Sequence, residues 1–322
     1  MMTYLDAGRT ALAEEMRRDP AVWALGEDLG RGGVFGQYRG LQDEFGPDRI
    51  ADTPISEAAI MGAAVGAAMM GTRPVVEMRF SDFALCAMDE LVNQAAKARF
   101  MFGGQARVPM VVREPIGMWR SSAAQHSQSL EAWYAHVPGL VVACPATPAD
   151  AHGMLKSAIR CDDPVVFMEH KGLWPMQGEV PDDRDHLVPL GQARIARPGQ
   201  DITIVSWSAQ VGVCLDAAGI LDGAGVSAEV IDLRTLWPWD KAAVFASLER
   251  TGRLLVVHEA VAVGGFGGEV VATVAEHRAG SLRVAPRRLG APRALIGYAP
   301  PVEDAVRVSA EKIVATAREM MR

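Results

Sequence analysis

The sequence predicts an α/β protein with two doubly wound domains, and three observations support this prediction. Short Val-rich runs recur along the chain, and longer amphipathic or Ala-rich stretches separate them. Apolar strands that alternate with helices are typical of parallel sheets covered on both faces. The alternation lapses from about residue 171 to residue 200, where Pro, Gly and charged residues accumulate. The length of 322 residues also suits two domains of ordinary size.

The individual elements follow the same order in both halves. The first domain, residues 1–180, has predicted strands and helices in alternation: strands at 22–28, 73–78, 108–114, 139–145 and 163–170, and helices at 56–70, 82–101 and 147–160. Residues 181–200 are predicted to be a linker. The second domain, residues 201–322, continues the alternation: strands at 201–207, 226–234 and 253–259, and helices at 209–223, 238–250, 267–278 and near 302–320.

Composition and charge narrow the range of functions. The 32 basic and 39 acidic residues give a net charge of −7 without a basic block, so neither nucleic acid nor a membrane surface is indicated as a partner. The longest small apolar run, residues 58–71, is shorter than the roughly 20 residues that span a bilayer. The N-terminal stretch is unlike a signal peptide. We therefore expect a cytoplasmic protein whose 4 cysteines are reduced.

The stretch "DTPISEAAIMGAAVGAAMMG", residues 52–71, is the most informative segment. Ser56 is a suitable N-cap, which places Glu57 in the first helical turn. Gly62 and Gly66 allow another helix to approach closely. On spacing alone, an alternative is that the glutamate only complements the helix dipole, and the glycines fit packing within one subunit or between subunits.

The spacing of Glu57, Gly62 and Gly66 resembles the signature of the pyrimidine-binding domain of thiamine diphosphate enzymes. Further long motifs follow in order, among them "MRFSDFALCAMDELVNQAAK" at 78–97 and "VIDLRTLWPWD" at 230–240. Over nearly its whole length the chain resembles the beta subunit of the decarboxylating component of 2-oxo acid dehydrogenase complexes. That family includes pyruvate, branched-chain and acetoin dehydrogenases. The resemblance implies a transketolase-like pyrimidine-binding domain and a transketolase C-terminal-like domain.

The resemblance assigns Glu57 and Phe83 to the cofactor. The carboxyl group of Glu57 would hydrogen-bond the aminopyrimidine ring and favour the tautomer that activates the thiazolium carbon. Apolar neighbours such as Ile60 and Met61 would desolvate this carboxyl group and help it to keep a proton. Phe83 would stack on the pyrimidine, whereas the sequence alone favours a core phenylalanine at the start of a buried helix.

His126, in "AAQHSQS", matches the family histidine near the thiazolium ring, which assists proton transfer and passage of the acyl group. A histidine suits this role because its pKa lies near neutrality. The alternative is a loop histidine bonded to the backbone. His136 is interpreted as structural. Trp119 and Arg120 stand where relatives carry small residues, so they either reshape the mouth of the site or form a surface pair without a role.

The resemblance also implies a structural potassium ion, bound mainly by backbone carbonyls near the turn "SAIRCDDPVVF". On this basis the predicted ligands are Met110, Ala158, Ile159, Cys161 and Asp163. The alternative is that Asp162 and Asp163 only begin a turn before Pro164.

A partner is expected because the sequence lacks the G-D-G…N motif that holds magnesium in thiamine diphosphate sites. The resemblance implies that an alpha subunit shares the thiamine diphosphate and holds Mg²⁺, in an alpha-two beta-two heterotetramer that docks on a lipoyl acyltransferase core. His258 and Glu259 are interpreted as interface or structural residues.

The predicted activity is that of a pyruvate-type 2-oxo acid or acetoin dehydrogenase, which cleaves a small-molecule substrate next to its carbonyl and passes the acyl group to lipoamide. Alternatives are a branched-chain dehydrogenase beta subunit and a thiamine-dependent acyl or ketol transferase half without a lipoyl acceptor. A nicotinamide-dependent reductase is disfavoured because no G-x-G-x-x-G fingerprint follows the first strand. A scaffold subunit with a decayed site is disfavoured by the presence of Glu57 and His126.

Overall fold

The computed structural model describes residues 1–183 and 185–322, and the chain divides into two compact units. Unit 1 contains Met1–Ile116 and Trp133–Leu190, and unit 2 contains Gly117–Ala132 and Gly191–Arg322. The segment 117–132, which carries His126, therefore groups with the C-terminal part of the chain. In the part of the chain that the structure describes, no helix is long and apolar enough to cross a membrane.

Unit 1 is built on a parallel sheet. Its strands are β1 (Met2–Thr3), β2 (Val22–Gly26), β3 (Ile50–Asp52), β4 (Arg73–Glu77), β5 (Val111–Ile116), β6 (Val141–Ala143), β7 (Val165–His170) and β8 (Gln177–Gly178). In the sheet the spatial order is β6, β7, β5, β4, β2 and β3, and each of these neighbours pairs in parallel. β1 and β8 form a separate antiparallel ribbon. All carboxyl ends of the parallel strands consequently lie at one edge.

Helices cover this sheet. Up to Leu190 they are α1 (Tyr4–Arg18), α2 (Leu41–Phe45), α3 (Glu57–Met69), α4 (Ser81–Ala84), α5 (Ala96–Met101), α6 (Glu131–Ala135) and α7 (Pro148–Arg160). Capping side chains start the long helices: Thr3 accepts the Asp6 N–H before α1, and Thr147 accepts the Asp150 N–H before α7. The core forms where apolar side chains of these two helices meet the strands, among them Leu12, Met16, Leu155, Val111 and Phe167.

The predicted helix at 82–101 is not one regular helix. A 3₁₀ turn, Leu85–Ala87, and a π-helical stretch, Asp89–Ala95, lie between α4 and α5. The changes in pitch keep one set of apolar side chains buried, namely Ala84, Ala87, Leu91 and Ala95. Packing has therefore overridden the regular periodicity that the prediction assumed.

Unit 2 repeats the architecture around a smaller sheet. Its strands are β9 (Arg194–Arg197), β10 (Ile202–Ser206), β11 (Ala228–Asp232), β12 (Thr235–Trp237), β13 (Leu254–Val261) and β14 (Arg287–Ala291). The sheet order is β14, β13, β10, β11 and β9. β9 lies inside the 181–200 segment and pairs antiparallel with β11, whereas the other pairs are parallel.

The helices of unit 2 are α8 (Gln210–Asp222), α9 (Lys241–Thr251), α10 (Gly267–Arg278), α11 (Pro300–Val306) and α12 (Ala310–Met321). The prediction of one helix near 302–320 is wrong because the chain is extended at Arg307 and Ser309, where ψ is 147° and 164°. The Ser309 side chain accepts the Lys312 N–H and starts α12. The predicted fold class, two α/β units with doubly wound sheets, is confirmed.

Candidate functional site

The carboxyl edge of the unit 1 sheet carries the predicted cofactor residues of that unit. Glu57 follows the end of β3, and Phe83 follows the end of β4. Because β3, β2 and β4 are neighbouring parallel strands, their ends bring both segments to one edge of the sheet. Ligands of open α/β sheets bind at this edge.

Glu57 is the first residue of α3, and Ser56 occupies the N-cap position. The Glu57 side chain is half-buried, while Ile60 and Met61 one turn later are fully buried. The expected desolvation of this carboxyl group is therefore only partial within a single chain. Glu57 remains accessible to a ligand or to a partner at the beginning of the helix.

Phe83 belongs to a group of aromatic side chains. Its ring packs edge-on against Phe80 at 5.4 Å, and Phe80 packs edge-on against Phe35 at 6.0 Å. Phe35 in turn lies 4.5 Å from the ring of Trp174. The Lys171 ammonium lies 4.9 Å from the centre of the Phe80 ring. Phe83 is half-buried in this arrangement.

A buried charge network lies within the same sheet. Arg113 in β5 makes two hydrogen bonds with Glu169 in β7, from Nε to Oε2 at 2.7 Å and from Nη2 to Oε1 at 3.0 Å. Glu77, at the end of β4, accepts hydrogen bonds from the Tyr38 hydroxyl at 2.9 Å and from Gln37 Nε2 at 3.1 Å. Because Gln37 and Tyr38 belong to the glycine-rich segment before α2, the network fastens that segment to the sheet.

Burial controls the ionisation of this network. It raises the pKa of Glu77 to about 7, although the charge of Arg113 opposes the shift. The pKa of Arg113 is raised well above its ordinary value: burial lowers it, but Glu169, Tyr38 and Glu77 together outweigh the effect of burial. The guanidinium therefore stays charged, while Glu77 titrates near neutrality.

Glu114 is a second buried acid in β5, and it is completely enclosed. Burial raises its pKa to about 8, although the neighbouring hydroxyls of Tyr134 and Ser81 oppose the shift. Tyr134 is also completely buried, and burial raises the pKa of its hydroxyl well above the ordinary value. A protonated carboxyl group thus lies next to α4, the helix that carries Phe83.

These buried acids and Arg113 were not predicted from the sequence. A signal was present, because charged residues occur inside otherwise apolar strands: "RPVVE", "VVREPI" and "VVFMEH". Charges in a strand covered on both faces must be paired or neutralised. Taken together, these charged residues would have predicted a polar cluster near the carboxyl ends of three neighbouring strands.

His126 lies in unit 2, on a loop of residues 117–132 that we call the histidine loop. The side chain is half-buried, and its backbone N–H points to the Ala123 carbonyl at 3.4 Å. Within the loop the Ser122 hydroxyl donates to the Trp119 carbonyl at 2.6 Å. The guanidinium of Arg120 lies 4.6 Å from the Trp119 ring, so these two side chains form a stacked pair.

The histidine loop has an unusual backbone. Arg120, Ser121 and Ala123 all have positive φ, at 51°, 54° and 64°. Non-glycine residues adopt this left-handed conformation at a cost, and such residues persist where the surroundings determine the backbone strongly. His136, by contrast, is exposed and lies just beyond α6.

His258 is fully buried in β13 and stacks on Trp207 at 5.2 Å. Its Nδ1 lies 3.0 Å from the Ala260 carbonyl. Burial lowers the pKa of His258 to about 4, so the ring is neutral at physiological pH. Added Cβ atoms at Gly265 and Gly267 would lie within 3 Å of this ring. The surroundings are those of a packed core histidine.

The predicted potassium ligands lie in one neighbourhood of unit 1. Ala158 and Ile159 are in the last turn of α7, and Cys161 is its C-cap. The Arg73 guanidinium donates to the carbonyls of Ile159 at 3.0 Å and Cys161 at 2.9 Å. The Ala158 carbonyl accepts the Cys161 N–H.

The remaining potential ligands are also engaged. The Met110 carbonyl accepts the Val165 N–H at 2.9 Å. The Asp163 carboxylate pairs with Arg99 at 2.5 Å, and Asp162 accepts from Arg73 at 2.7 Å. The hydrogen bond from Arg73 lowers the pKa of Asp162. The carbonyl donors suit a hard cation, and each carbonyl oxygen has a second lone pair.

Within residues 1–183 and 185–322, no group of three or more His, Cys, Asp or Glu side chains is arranged to hold a metal ion.

Comparison with known proteins identifies the family. Residues 1–177 match the transketolase pyrimidine-binding domain, and residues 191–313 match the transketolase C-terminal domain. The chain is 43% identical over 323 residues to the 2-oxoisovalerate dehydrogenase subunit beta of Bacillus subtilis (strain 168), covering 99% of this chain and 98% of the relative. This chain belongs to the family of dehydrogenase beta subunits that includes this relative.

Other relatives of this beta-subunit family match equally well. The acetoin:2,6-dichlorophenolindophenol oxidoreductase subunit beta of Cupriavidus necator is 43% identical, over 97% of this chain and 95% of the relative. The pyruvate dehydrogenase E1 component subunit beta-2, mitochondrial, of Oryza sativa subsp. japonica is also 43% identical, over 96% and 85%. Equal identity to all three confirms the predicted family but leaves its members undistinguished.

Solved structures support the same fold. A split-gene transketolase described as an inactive beta4 tetramer superposes with a TM-score of 0.79, at 20% identity, over 99% of this chain and 98% of the other. At this identity the similarity shows the fold alone. It agrees with the transketolase-like domains that the sequence predicted for this beta-subunit chain.

Proposed function

We propose that this chain is the beta subunit of a thiamine diphosphate-dependent 2-oxo acid or acetoin dehydrogenase. It cleaves the substrate next to the carbonyl group and passes the acyl group to lipoamide. The observation that carries the proposal is the 43% identity to three such beta subunits over almost the whole chain. The position of Glu57 at the start of α3, on the carboxyl edge of the sheet, adds independent support.

The residues of unit 1 fit an aminopyrimidine ring. When bound, thiamine diphosphate supplies the electron sink for cleavage next to a carbonyl. The half-buried Glu57 carboxyl group would hydrogen-bond the ring nitrogen, and Phe83, which is also half-buried, would stack on the ring. Binding of a ring there would desolvate Glu57 further.

His126 is proposed to move protons on the substrate side. An imidazole suits this role because it can both donate and accept a proton. The strained and internally bonded histidine loop would hold the imidazole in a defined position. A loose loop would place a general acid less accurately and lose rate.

The chain is proposed to act only with an alpha subunit. Mg²⁺ and the diphosphate would be held by that subunit, because the sequence of this chain lacks the G-D-G…N motif. We propose an alpha-two beta-two heterotetramer that docks on a lipoyl acyltransferase core. The exposed small residues Gly62, Ala63 and Gly66 on α3 suit close packing between helices of different subunits.

The substrate is proposed to be a pyruvate-type 2-oxo acid or acetoin. A branched-chain 2-oxo acid is the alternative, because the 2-oxoisovalerate enzyme subunit is equally identical. A second alternative is an acyl or ketol transferase half that uses no lipoyl acceptor. The stacked Trp119–Arg120 pair is proposed to narrow the entrance on the histidine loop, which favours small substrates.

The test is reconstitution with the alpha subunit and thiamine diphosphate, followed by substrate-dependent reduction of an artificial electron acceptor. Glu57→Gln is expected to reduce kcat by about 100-fold or more while leaving the assembly intact, because the amide cannot share a proton with the ring nitrogen. Glu249→Gln, an exposed glutamate on α9, is the matched control and should keep full activity. Full activity of Glu57→Gln would refute the proposal.

A structural potassium ion is proposed at the end of α7, with Met110, Ala158, Ile159, Cys161 and Asp163 as ligands. The proposal is supported by the carbonyl-rich turn and by two neighbouring acidic residues. The Arg73 guanidinium already satisfies two of the carbonyls, so the ion would use their remaining lone pairs.

A further inference from the structure

We infer that Glu259 is a positioning residue, which holds the histidine loop and thereby sets the place of His126. The inference rests on the role of His126 proposed above. The sequence placed Glu259 only among interface or structural residues. Its contacts assign it a more specific task, because the carboxylate reaches back 141 residues along the chain to the base of the loop.

The base of the histidine loop is a closed neck. The Gly117 N–H donates to the Gln128 carbonyl at 3.3 Å, which joins the two ends of the loop. One oxygen of Glu259, Oε1, accepts the Met118 N–H at 2.8 Å and the Ser129 hydroxyl at 3.3 Å. A single carboxylate therefore binds both sides of the neck.

Met118 is held from two directions. Its N–H donates to Glu259, and its carbonyl accepts from Arg307 Nη2 at 3.0 Å. Arg307 is itself held by a short ion pair with Glu303. The backbone of Met118 thus has both of its polar groups bonded to charged side chains, and charge-assisted hydrogen bonds are stronger and shorter than neutral ones.

The anchor is rigid. Glu259 is only 8% exposed, and β13 lies inside the sheet of unit 2, between β14 and β10. Trp207 directly follows β10. Its indole N–H donates to the Glu131 carboxylate at 3.0 Å, which fixes the C-terminal end of the loop to the sheet of unit 2. Precise functional groups are best held from regular elements.

The anchoring explains the backbone of the loop. Arg120, Ser121 and Ala123 hold left-handed conformations between the neck and His126. Such strain relaxes unless the surrounding contacts fix both ends of the segment. Loss of the Glu259 carboxylate would release one side of the neck, and the imidazole of His126 would move from its working position.

The experiment is a double-mutant cycle in the complex reconstituted with the alpha subunit. Glu259→Ala is expected to lower kcat by about 10- to 100-fold, because an error of about 1 Å in a catalytic group costs this much. In a His126→Ala background the same change should cost less than about twofold, since no imidazole remains to be positioned. Glu259→Gln keeps an acceptor oxygen and should recover most of the rate.

Amide hydrogen exchange gives the second readout. The Met118 N–H should exchange faster in Glu259→Ala and near the normal rate in Glu259→Gln. Asp201→Ala is the matched control, because Asp201 accepts the Ser227 N–H at 2.7 Å elsewhere in unit 2. It should alter neither kcat nor the exchange at Met118. If Glu259→Ala does not fold, Glu259→Asp replaces it: its shorter side chain withdraws the carboxylate from Met118, so kcat should fall below that of Glu259→Gln only when His126 is present.

The outcomes separate the two hypotheses. Equal losses of kcat from Glu259→Ala with and without His126 would overturn the positioning role. The same conclusion would follow if Glu259→Ala kept the wild-type kcat while His126→Ala lost activity. Full activity of His126→Ala would refute the proposed role of the histidine itself, and the inference about Glu259 would fall with it.

Discussion

The guanidinium of Arg113 and the carboxylate of Glu169 form a two-point ion pair inside the unit 1 sheet, with donor–acceptor distances of 2.7 and 3.0 Å. Both side chains are almost completely buried. Their residues lie on the neighbouring parallel strands β5 and β7. The two side chains therefore neutralise each other's charge in a region from which water is excluded.

Removal of Arg113 should destabilise the protein severely. Arg113→Met would leave Glu169 buried without its partner, and such losses cost about 3–5 kcal/mol. Denaturation in urea would measure the change in the free energy of unfolding. The control is Arg17→Met, which breaks an exposed bidentate pair with Glu44 and should cost less than about 1 kcal/mol. Similar costs for both variants would contradict the prediction.

The raised pKa of Glu114 predicts that the free energy of unfolding decreases as the pH rises. An unfolded glutamate titrates near 4.5, whereas folded Glu114 titrates at about 8. The folded state therefore holds its proton more tightly; this stabilisation is complete below about pH 4.5 and is lost as the pH rises through about 8. Glu114→Gln cannot lose that proton.

We expect the decrease in unfolding free energy between pH 6 and pH 9 to be smaller in Glu114→Gln than in the wild type, by roughly 1–3 kcal/mol. Urea unfolding at the two pH values measures it. Glu77, whose pKa is about 7, contributes to the decrease in both proteins. Glu249→Gln, at an exposed site, should retain the wild-type pH dependence. An unchanged decrease in Glu114→Gln would show that the carboxyl group is already ionised at pH 6.

Gly139 should not tolerate a side chain. Its φ is 102°, and an added Cβ would lie 2.0 Å from the Ala96 carbonyl oxygen in α5. Gly139→Ala is expected to lower the free energy of unfolding by roughly 2–4 kcal/mol through this collision. Gly225→Ala isolates the backbone effect, since φ is 78° but no atom lies within 4 Å of the added Cβ. That variant should lose only about 1 kcal/mol. Equal losses would assign the whole cost to backbone conformation.

Potassium should stabilise the chain if the proposed carbonyl site binds it. An ion that binds only the folded state raises its stability according to its concentration and affinity. We expect a Tm higher by about 2–4 °C in potassium chloride than in choline chloride at equal ionic strength. Sodium chloride tests selectivity. Equal Tm values in potassium and choline would exclude the ion and leave Arg73 as the cation of this turn.

The fold was predictable because its signal is local. The Val-rich runs at β4, β5 and β7 and the helix that begins at Glu57 were all predicted within a few residues. The elements that were not predicted are short or irregular. β3 and β9 have 3 and 4 residues, and the π-helical stretch at 89–95 depends on tertiary packing. Periodicity alone cannot detect such features.

The candidate site was predictable only where a motif marked it. Glu57, Phe83 and His126 are candidates that family resemblance proposes, whereas the pairing of Arg113 with Glu169 depends on strand order. That order brings residues 56 positions apart into contact. The contact of Glu259 with Met118 is longer still in sequence and carries no local signal. Both relationships required the assembled sheets.

The discontinuous composition of unit 2 limits how the gene can be divided. A cut after Leu190 would separate Glu259, Trp207 and Arg307 from the segment that they bind, because residues 117–132 would remain on the upstream fragment. The downstream fragment would expose the polar groups that normally form hydrogen bonds with this segment. Unit 2 could therefore be completed from two such fragments only if residues 117–132 of the upstream fragment rejoined their C-terminal neighbours.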